Sequence, residues 1–468
     1  VLVTYTDAEE RTIDFLSTSS QSQFVFGGDV CDKGYGSLEV TRQLVDFKER
    51  YPERVVLILG NRDLNKLRFT SELDPEEIAT IPIREIPGPY WVSPQQRVSP
   101  YQYLVKLILT NEDISQESQI PDSTLAHYNT VANRLRWMLD CTMGSQGDFE
   151  RRRKELGDGS SDDDVVESFL SSVQPGGIMR RFLVLGQLAY IWGDCLFIHG
   201  GVTDANFGYV PGMKEKVENP REWVASLNDW LRKELLGWVE EPKWRPSRRY
   251  EARDEDGNGD WSARGGNRVI AYVAPGSEPT VIYERMFNNR NNFKECDAST
   301  ARSFVTNGIK RIVVGHTPHG HSPTIMRSSM VDVIAADTSY SDMKAGDNRG
   351  AAVSEVVIGK EYTNVHGRLP DGSKIRYRLH SQKGKGDPFV GRMVNFPDGA
   401  KGWFVKAKLA DEDAYVISQV DGFKVQYAKL STVELRLLVE QLPHTTPHED
   451  DSVSIDIDYP GGKTTLRG

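Results

Sequence analysis

The chain has 468 residues, 38% of them apolar and 26% charged, with a formal net charge of −10. That length exceeds one ordinary core and predicts a large domain with an appendage. The acidic balance argues against a surface that grips nucleic acid by bulk charge, and no apolar run is long enough to span a membrane.

Residues 1–5 read as a strand leading to Asp7 and Glu9. Ile13 and Leu16 stand at helical spacing, which predicts a short helix over 11–20. The stretch Phe24-Val25-Phe26-Gly27-Gly28-Asp29-Val30-Cys31-Asp32-Lys33-Gly34 follows. A short apolar strand ends in two glycines, then a carboxylate, then a second carboxylate three residues on. A buried parallel strand delivers acid groups to the end of a sheet in this way, where α/β proteins bind ligands. Leu38, Thr41, Leu44, Val45 and Lys48 share a helical period over 37–50, and Tyr51-Pro52 stops it. Val55-Val56-Leu57-Ile58-Leu59 is a buried strand running into Gly60-Asn61-Arg62-Asp63. Strand, helix and strand in close succession predict a parallel sheet with right-handed crossovers.

The pattern then breaks. Residues 64–190 read as a mostly helical insertion over the strand ends. Within it, 125–139 is one helix, and 144–164, rich in Gly, Ser and charge, is a mobile loop. The sheet resumes at Cys195-Leu196-Phe197-Ile198, ending in His199-Gly200-Gly201. A second insertion, 205–305, carries Trp223, Leu227, Trp230 and Leu231 on one helical face, a core signature. Arg311-Ile312-Val313-Val314 is another strand, ending in Gly315-His316-Thr317-Pro318-His319-Gly320-His321, and 331–335 is a further one before Asp337. From 351 to 443 the alternation in Ile375-Arg376-Tyr377-Arg378-Leu379 and Trp403-Phe404-Val405-Lys406-Ala407 predicts a small antiparallel β unit, followed by a frayed tail over 444–468. Residues 1–350 are then the catalytic domain. The four cysteines, Cys31, Cys141, Cys195 and Cys296, lack metal or disulfide spacing and point to free thiols in a reducing, cytoplasmic setting.

Five strand ends therefore carry Asp7/Glu9, Asp29/Asp32, Asn61/Asp63, His199 and His316. Carboxylates, an amide oxygen and imidazoles suit a pair of divalent cations. A carboxylate that bridges two ions about 3.5–4 Å apart makes the clamp used in phosphoryl hydrolysis. Asp63 and Asp337 taken singly read as turn formers.

Gly28-Asp29-Val30-Cys31-Asp32-Lys33-Gly34 resembles the G-D-x-x-D-R-G block of calcineurin-like metallophosphoesterases. Gly60-Asn61-Arg62-Asp63 is similar to their G-N-H-E/D block, and His199-Gly200-Gly201 and Gly315-His316-Thr317-Pro318 to their two later histidine blocks. The resemblance covers about 1–63, 190–205 and 310–340, and lies toward the phosphoprotein phosphatase and diadenosine-tetraphosphatase-like branch. It implies a four-layer α/β/β/α sandwich and two divalent ions, Mn²⁺ or Mg²⁺, with Fe or Zn as alternatives at the histidine-rich site. It implies that Asp7 and Glu9 hold the first ion, that Asp29 bridges, and that Asn61, His199 and His316 hold the second. Asp32, Lys33 and Arg62 take the catalytic positions, and Lys33, Arg62, Arg264 and His319 are the candidate substrate contacts.

The chain departs from the family pattern at three places. Glu9 replaces a ligand histidine, which favours a hard ion. Lys33 replaces an arginine, keeping the charge without the bidentate fork. Arg62 replaces the catalytic histidine and cannot act as a general acid at neutral pH. D-x-E combined with G-N-R-D resembles a divergent subgroup. The implied activity is hydrolysis of phosphate monoesters or phosphoanhydrides by a metal-bridging hydroxide, favouring good leaving groups. The substrate is a phosphorylated small molecule, a nucleotide or a phosphoprotein. The alternative is a degraded phosphatase fold serving as a metal-binding or scaffold protein.

Overall fold

The computed structural model describes residues 3–5, 12–16, 22–89, 91–245, 264–276, 278–288, 294–350, 352–381, 385–396, 402–422, 424–440, 454–459 and 462–467. It is a mixed α/β structure. β1 (Val3–Tyr5) pairs antiparallel with β2 (Ile13–Phe15). The helix expected over 11–20 is thus corrected to a strand where the residues are described. The Phe15 ring packs tilted against Phe47 and edge-on against Tyr51, contacts that outweigh the weak helical period.

β3 (Phe24–Phe26) pairs parallel with β4 (Val55–Leu57), and α1 (Ser37–Arg50) makes the crossover. Leu44, Val45 and Phe47 bury the inner face of α1. Gln187 continues the ladder beyond β4, its N–H donating to the Leu57 carbonyl at 2.9 Å and its own carbonyl accepting from Leu59 at 2.9 Å. A five-stranded sheet follows, formed by β5 (Ala189–Trp192), β6 (Cys195–Ile198), β7 (Arg311–Val314), β8 (Thr324–Met326) and β9 (Asp332–Ala335), in the order β5-β6-β7-β9-β8. β6, β7 and β9 run parallel, so their C-terminal ends open on the same side.

The described residues of 64–190 are mostly helical, and two segments differ from the expected pattern. The helix expected over 125–139 is split into Asp122–Tyr128 and Val131–Trp137, because Thr130 caps the second segment through the Asn133 N–H. The segment expected as a loop over 144–164 contains the helix Asp148–Leu156 and the start of Asp162–Val173. Ser161 and Asp164 form a capping box there, and Arg136 and Arg153 both pair with Asp162. In the second insertion Trp223, Leu227, Trp230 and Leu231 are buried on the helix Pro220–Glu240.

β10 (Val353–Ile358), β11 (Tyr362–Arg368) and β12 (Lys374–His380) form an antiparallel sheet. β13 (Met393–Val394), β14 (Trp403–Lys408), β15 (Ala414–Asp421) and β16 (Lys424–Ser431) form another. Their shared core reaches Ile325 and Ile334 of the five-stranded sheet. The expected frayed tail is corrected in part, since β17 (Ser454–Tyr459) and β18 (Gly462–Arg467) pair as a hairpin. Among the described residues no helix is long and apolar enough to cross a membrane. The four cysteines form no disulfide.

Candidate metal centre

The ends of β3, β4, β6, β7 and β9 meet at a cavity of about 1130 Å³. Asp29, His199 and His316 converge there, with ligand atoms within 4.8 Å of one another. The backbone is bent to bring them together. Asp29, Asp32, Lys33 and His316 all have positive φ, at 57°, 75°, 57° and 63°. Non-glycine residues rarely adopt this conformation outside functional loops. Gly60 is required by packing: a Cβ there would overlap the Asp29 carboxylate and the His199 ring.

Asp63 holds this geometry. Its carboxylate accepts from the N–H groups of Asp29 at 2.8 Å, Val30 at 2.9 Å and Gly60 at 2.8 Å. It locks the Asp29 turn onto α2 (Asn61–Leu64), as a turn-forming aspartate would. Burial and the nearby Asp29 charge raise its pKa, while the backbone donors pull the other way.

The His199 ring donates from Nδ1 to the Gly27 carbonyl at 2.8 Å, so Nε2 is the nitrogen that faces the site. Burial works against its charge, but the neighbouring Asp29 raises the His199 pKa to about 9, and a bound cation would take the place of the Nε2 proton. Nε2 is buried and has no hydrogen-bond partner among the described residues, with Asp29 Oδ2 at 3.4 Å. His316 Nε2 is likewise buried without a hydrogen-bond partner. His316 Nδ1 lies 3.1 Å from Asn61 Oδ1, a separation that either a hydrogen bond or a shared ion accommodates. Buried polar atoms are mostly paired, so two imidazole nitrogens unpartnered among the described residues, beside a carboxylate, make a candidate cation site. The donor set of carboxylate, amide oxygen and two imidazoles fits a divalent metal. Burial works against ionising Asp29, but His199 and Arg62 overcome it and hold Asp29 below the usual carboxylate range. Burial drives the His316 pKa well below normal, which keeps its ring neutral and able to ligate.

Arg62 points into the same space. Its N–H donates to Asp29 Oδ1 at 3.0 Å, its Nε lies 3.5 Å from Asp29 Oδ2, and its Nη1 donates to the Gly144 carbonyl at 3.2 Å. Burial opposes its charge, yet Asp29 and Asp32 raise its pKa further above an already high value. Lys33 and Asp32 line the cavity but are committed to partners. Lys33 Nζ reaches both Asp347 oxygens, at 2.7 and 2.6 Å. Asp32 accepts from Lys66 Nζ at 2.8 and 2.7 Å and from Ser145 Oγ at 2.6 Å. Cys31 lies in the same loop, and burial raises its thiol to about 12, so it is no nucleophile.

Two expected substrate contacts are not brought to the cavity. Arg264 is buried, with its guanidinium 3.2 Å from Glu72 and over the Trp244 ring. His319 is buried against Phe287, with Nδ1 3.0 Å from Thr324 Oγ1. Asp7 and Glu9 lie outside the described residues. Asp337, Tyr283, Tyr340 and Asp347 line the cavity and were not selected from the sequence as site residues. Only Asp337 carried a signal, its place after an apolar strand. Burial and Asp29 raise its pKa to about 7.

No family model matches the chain. Short stretches do match protein phosphatases. One of 51 residues is 39% identical to the serine/threonine-protein phosphatase SIT4 of Candida albicans, covering 11% of this chain and 16% of that protein. One of 47 residues is 43% identical to the serine/threonine-protein phosphatase 4 catalytic subunit of Kluyveromyces lactis, covering 10% and 15%. One of 46 residues is 39% identical to the serine/threonine-protein phosphatase 6 catalytic subunit of Drosophila melanogaster, again covering 10% and 15%. Each match thus spans about a sixth of the relative's length, a fragment-level likeness to phosphatases.

Proposed function

We propose that the protein is a metal-dependent phosphoesterase. The observation that carries this reading is the pair of orphaned, buried Nε2 atoms of His199 and His316 facing Asp29. The fragment likeness to phosphatases supports it. Asp29, Asn61, His199 and His316 would hold a divalent ion, with Asp7 and Glu9 as further ligands if a second is bound. Such an ion supplies Lewis-acid polarisation of a phosphoryl oxygen and lowers the pKa of a water. Mn²⁺ or Mg²⁺ suits the carboxylates, and Fe or Zn suits the imidazoles.

The protein's own groups do the rest. The Arg62 guanidinium, fixed by Asp29 and Gly144, presents its charge to the phosphoryl oxygens. It cannot deliver a proton, so the reaction favours leaving groups that need none, such as aryl oxides and phosphates. The Tyr340 ring, with its centroid 5.6 Å from the Arg62 guanidinium carbon, walls one side. Candidate substrates are phosphate monoesters or anhydrides on a small molecule, a nucleotide or a protein. The test is elemental analysis of protein purified without chelator, together with turnover of p-nitrophenyl phosphate. Bound metal with turnover lost in Asp29→Asn supports the enzyme. Bound metal with no turnover of any phosphate ester supports the scaffold alternative.

A further inference from the structure

A strap formed by residues 337–350 crosses the loop that carries Asp29, Asp32 and Lys33. Its anchors are independent of one another. The Asp342 N–H donates to the Lys33 carbonyl at 3.0 Å. The Asp342 carboxylate pairs with Arg151 at 2.7 Å. A Cβ on Gly34 would lie 2.7 Å from Ser341 Cβ, so only glycine lets the strap seat this closely. The Tyr340 N–H donates to Asn348 Oδ1 at 3.0 Å, which closes the strap on itself. Arg349 Nη1 donates to the Pro318 carbonyl at 2.7 Å, and Tyr427 Oη donates to the Arg349 carbonyl at 3.1 Å. The Asp347 carboxylate is therefore held over Lys33, and Tyr340 roofs the pair with its ring 5.1 Å from Nζ.

Lys33 stands in a left-handed turn and lines the same cavity as Asp29, Arg62, His199 and His316, so its ammonium is a cation that an anion bound in that cavity would meet. The anion already on it comes from the chain itself. Lysine is a point charge with three donors, so a phosphate can share Nζ with Asp347. It does so against the Asp347 charge. We propose that Asp347 is a specificity-determining residue: its carboxylate sets the Lys33 seat against doubly charged phosphate. The preferred phosphoryl group carries one negative charge, as in a phosphodiester or an internal phosphate of an anhydride. This rests on the phosphoesterase reading and shifts its preferred substrate from monoesters towards diesters and internal anhydride phosphates.

Coulomb repulsion scales with ligand charge, so the logarithm of the effect on a dianion is twice that on a monoanion. Asp347→Asn keeps the shape and an acceptor for Lys33 while removing the charge. Protein purified without chelator is titrated calorimetrically at pH 8 with inorganic phosphate, the dianion, and with dimethyl phosphate, the monoanion. The same proteins are assayed on p-nitrophenyl phosphate and bis(p-nitrophenyl) phosphate. Inorganic phosphate should bind on the order of tenfold tighter to Asp347→Asn, and dimethyl phosphate about threefold tighter. The KM for the monoester should fall by more than that for the diester. Equal or weaker phosphate binding in Asp347→Asn overturns the proposal and makes Asp347 a holder of Lys33. No binding to either protein overturns it as well. Tightened phosphate binding without turnover of either ester keeps the proposal and rejects the hydrolase reading. Turnover without tightening does the reverse.

Discussion

Two sets of polar side chains at and around the cavity are treated in opposite ways. One set is matched: Asp32 with Lys66, Arg68 with Glu72, and Arg151 with Asp148 and Asp342. In the other, at the ends of β6 and β7, two imidazole nitrogens are buried with no hydrogen-bond partner among the described residues. A matched buried pair is structure, whereas an orphaned donor set is a place for something else to bind. The contrast also separates residues that one motif places side by side. Asp29 and Asp32 stand three positions apart, yet one faces the orphaned imidazoles and the other is sealed by a lysine.

The largest effect should come from the orphaned side. Asp29→Asn or His199→Ala should lower phosphoesterase turnover by about 10³-fold or more, since the ion's contribution is lost. Far-UV circular dichroism should be unchanged. A drop of less than tenfold would place the chemistry elsewhere.

The matched side should respond in stability. Lys66→Met strands the Asp32 carboxylate, which is buried along with its partner, and should cost about 3–5 kcal/mol in denaturant unfolding. The double change Lys66→Met with Asp32→Leu should recover much of that loss. A single variant as stable as wild type would remove Asp32 from the matched class.

An intermediate case is Lys406, fully buried on β14, whose Nζ donates to the His319 carbonyl. Burial lowers its pKa from 10.5 to about 7. Between those values the unfolded chain carries a proton that the folded protein lacks, so stability should rise with pH across that window. Below about pH 7 both states are protonated and the dependence vanishes. The slope approaches about 1.4 kcal/mol per pH unit at most. Thermal melts from pH 7 to pH 10 should show this rise, and Lys406→Met should flatten it. An equal slope in both proteins would mean that Lys406 keeps its charge in the fold.

The smallest effect concerns the leaving group. In a series of substituted aryl phosphates plus an alkyl phosphate, turnover should fall steeply as leaving-group pKa rises. Arg62→His should gain mainly on the alkyl ester, by up to about tenfold, because a general acid is worth most there. A flat dependence in wild type would point to another proton donor at the site, with Asp337 as the residue to test.

The strand-end half of the candidate site was legible in the sequence because each strand is a short apolar run closed by glycine and a polar residue of a type that can ligate a cation. Asp29, Asn61, His199 and His316 all follow that rule, and periodicity located α1 and the buried face of Pro220–Glu240. The matched half was not legible. Asp347 lies 314 positions from Lys33, and no local pattern links them. Lys33 therefore read as a free phosphate contact. The 144–164 segment was misread because its charges looked solvated, while Arg136 and Arg153 spend theirs on Asp162. Arg264 and His319 looked available for the same reason: their partners, Glu72 and Thr324, are set by tertiary packing.

The central claim is that the two orphaned nitrogens and Asp29 hold a divalent ion. It is tested most directly by X-ray diffraction at the Mn absorption edge on crystals of protein soaked in Mn²⁺. The account predicts an anomalous peak within coordinating distance of Asp29, His199 and His316 that disappears in His199→Ala. Full-occupancy Mn²⁺ bound elsewhere, with no peak at these three residues, would contradict it.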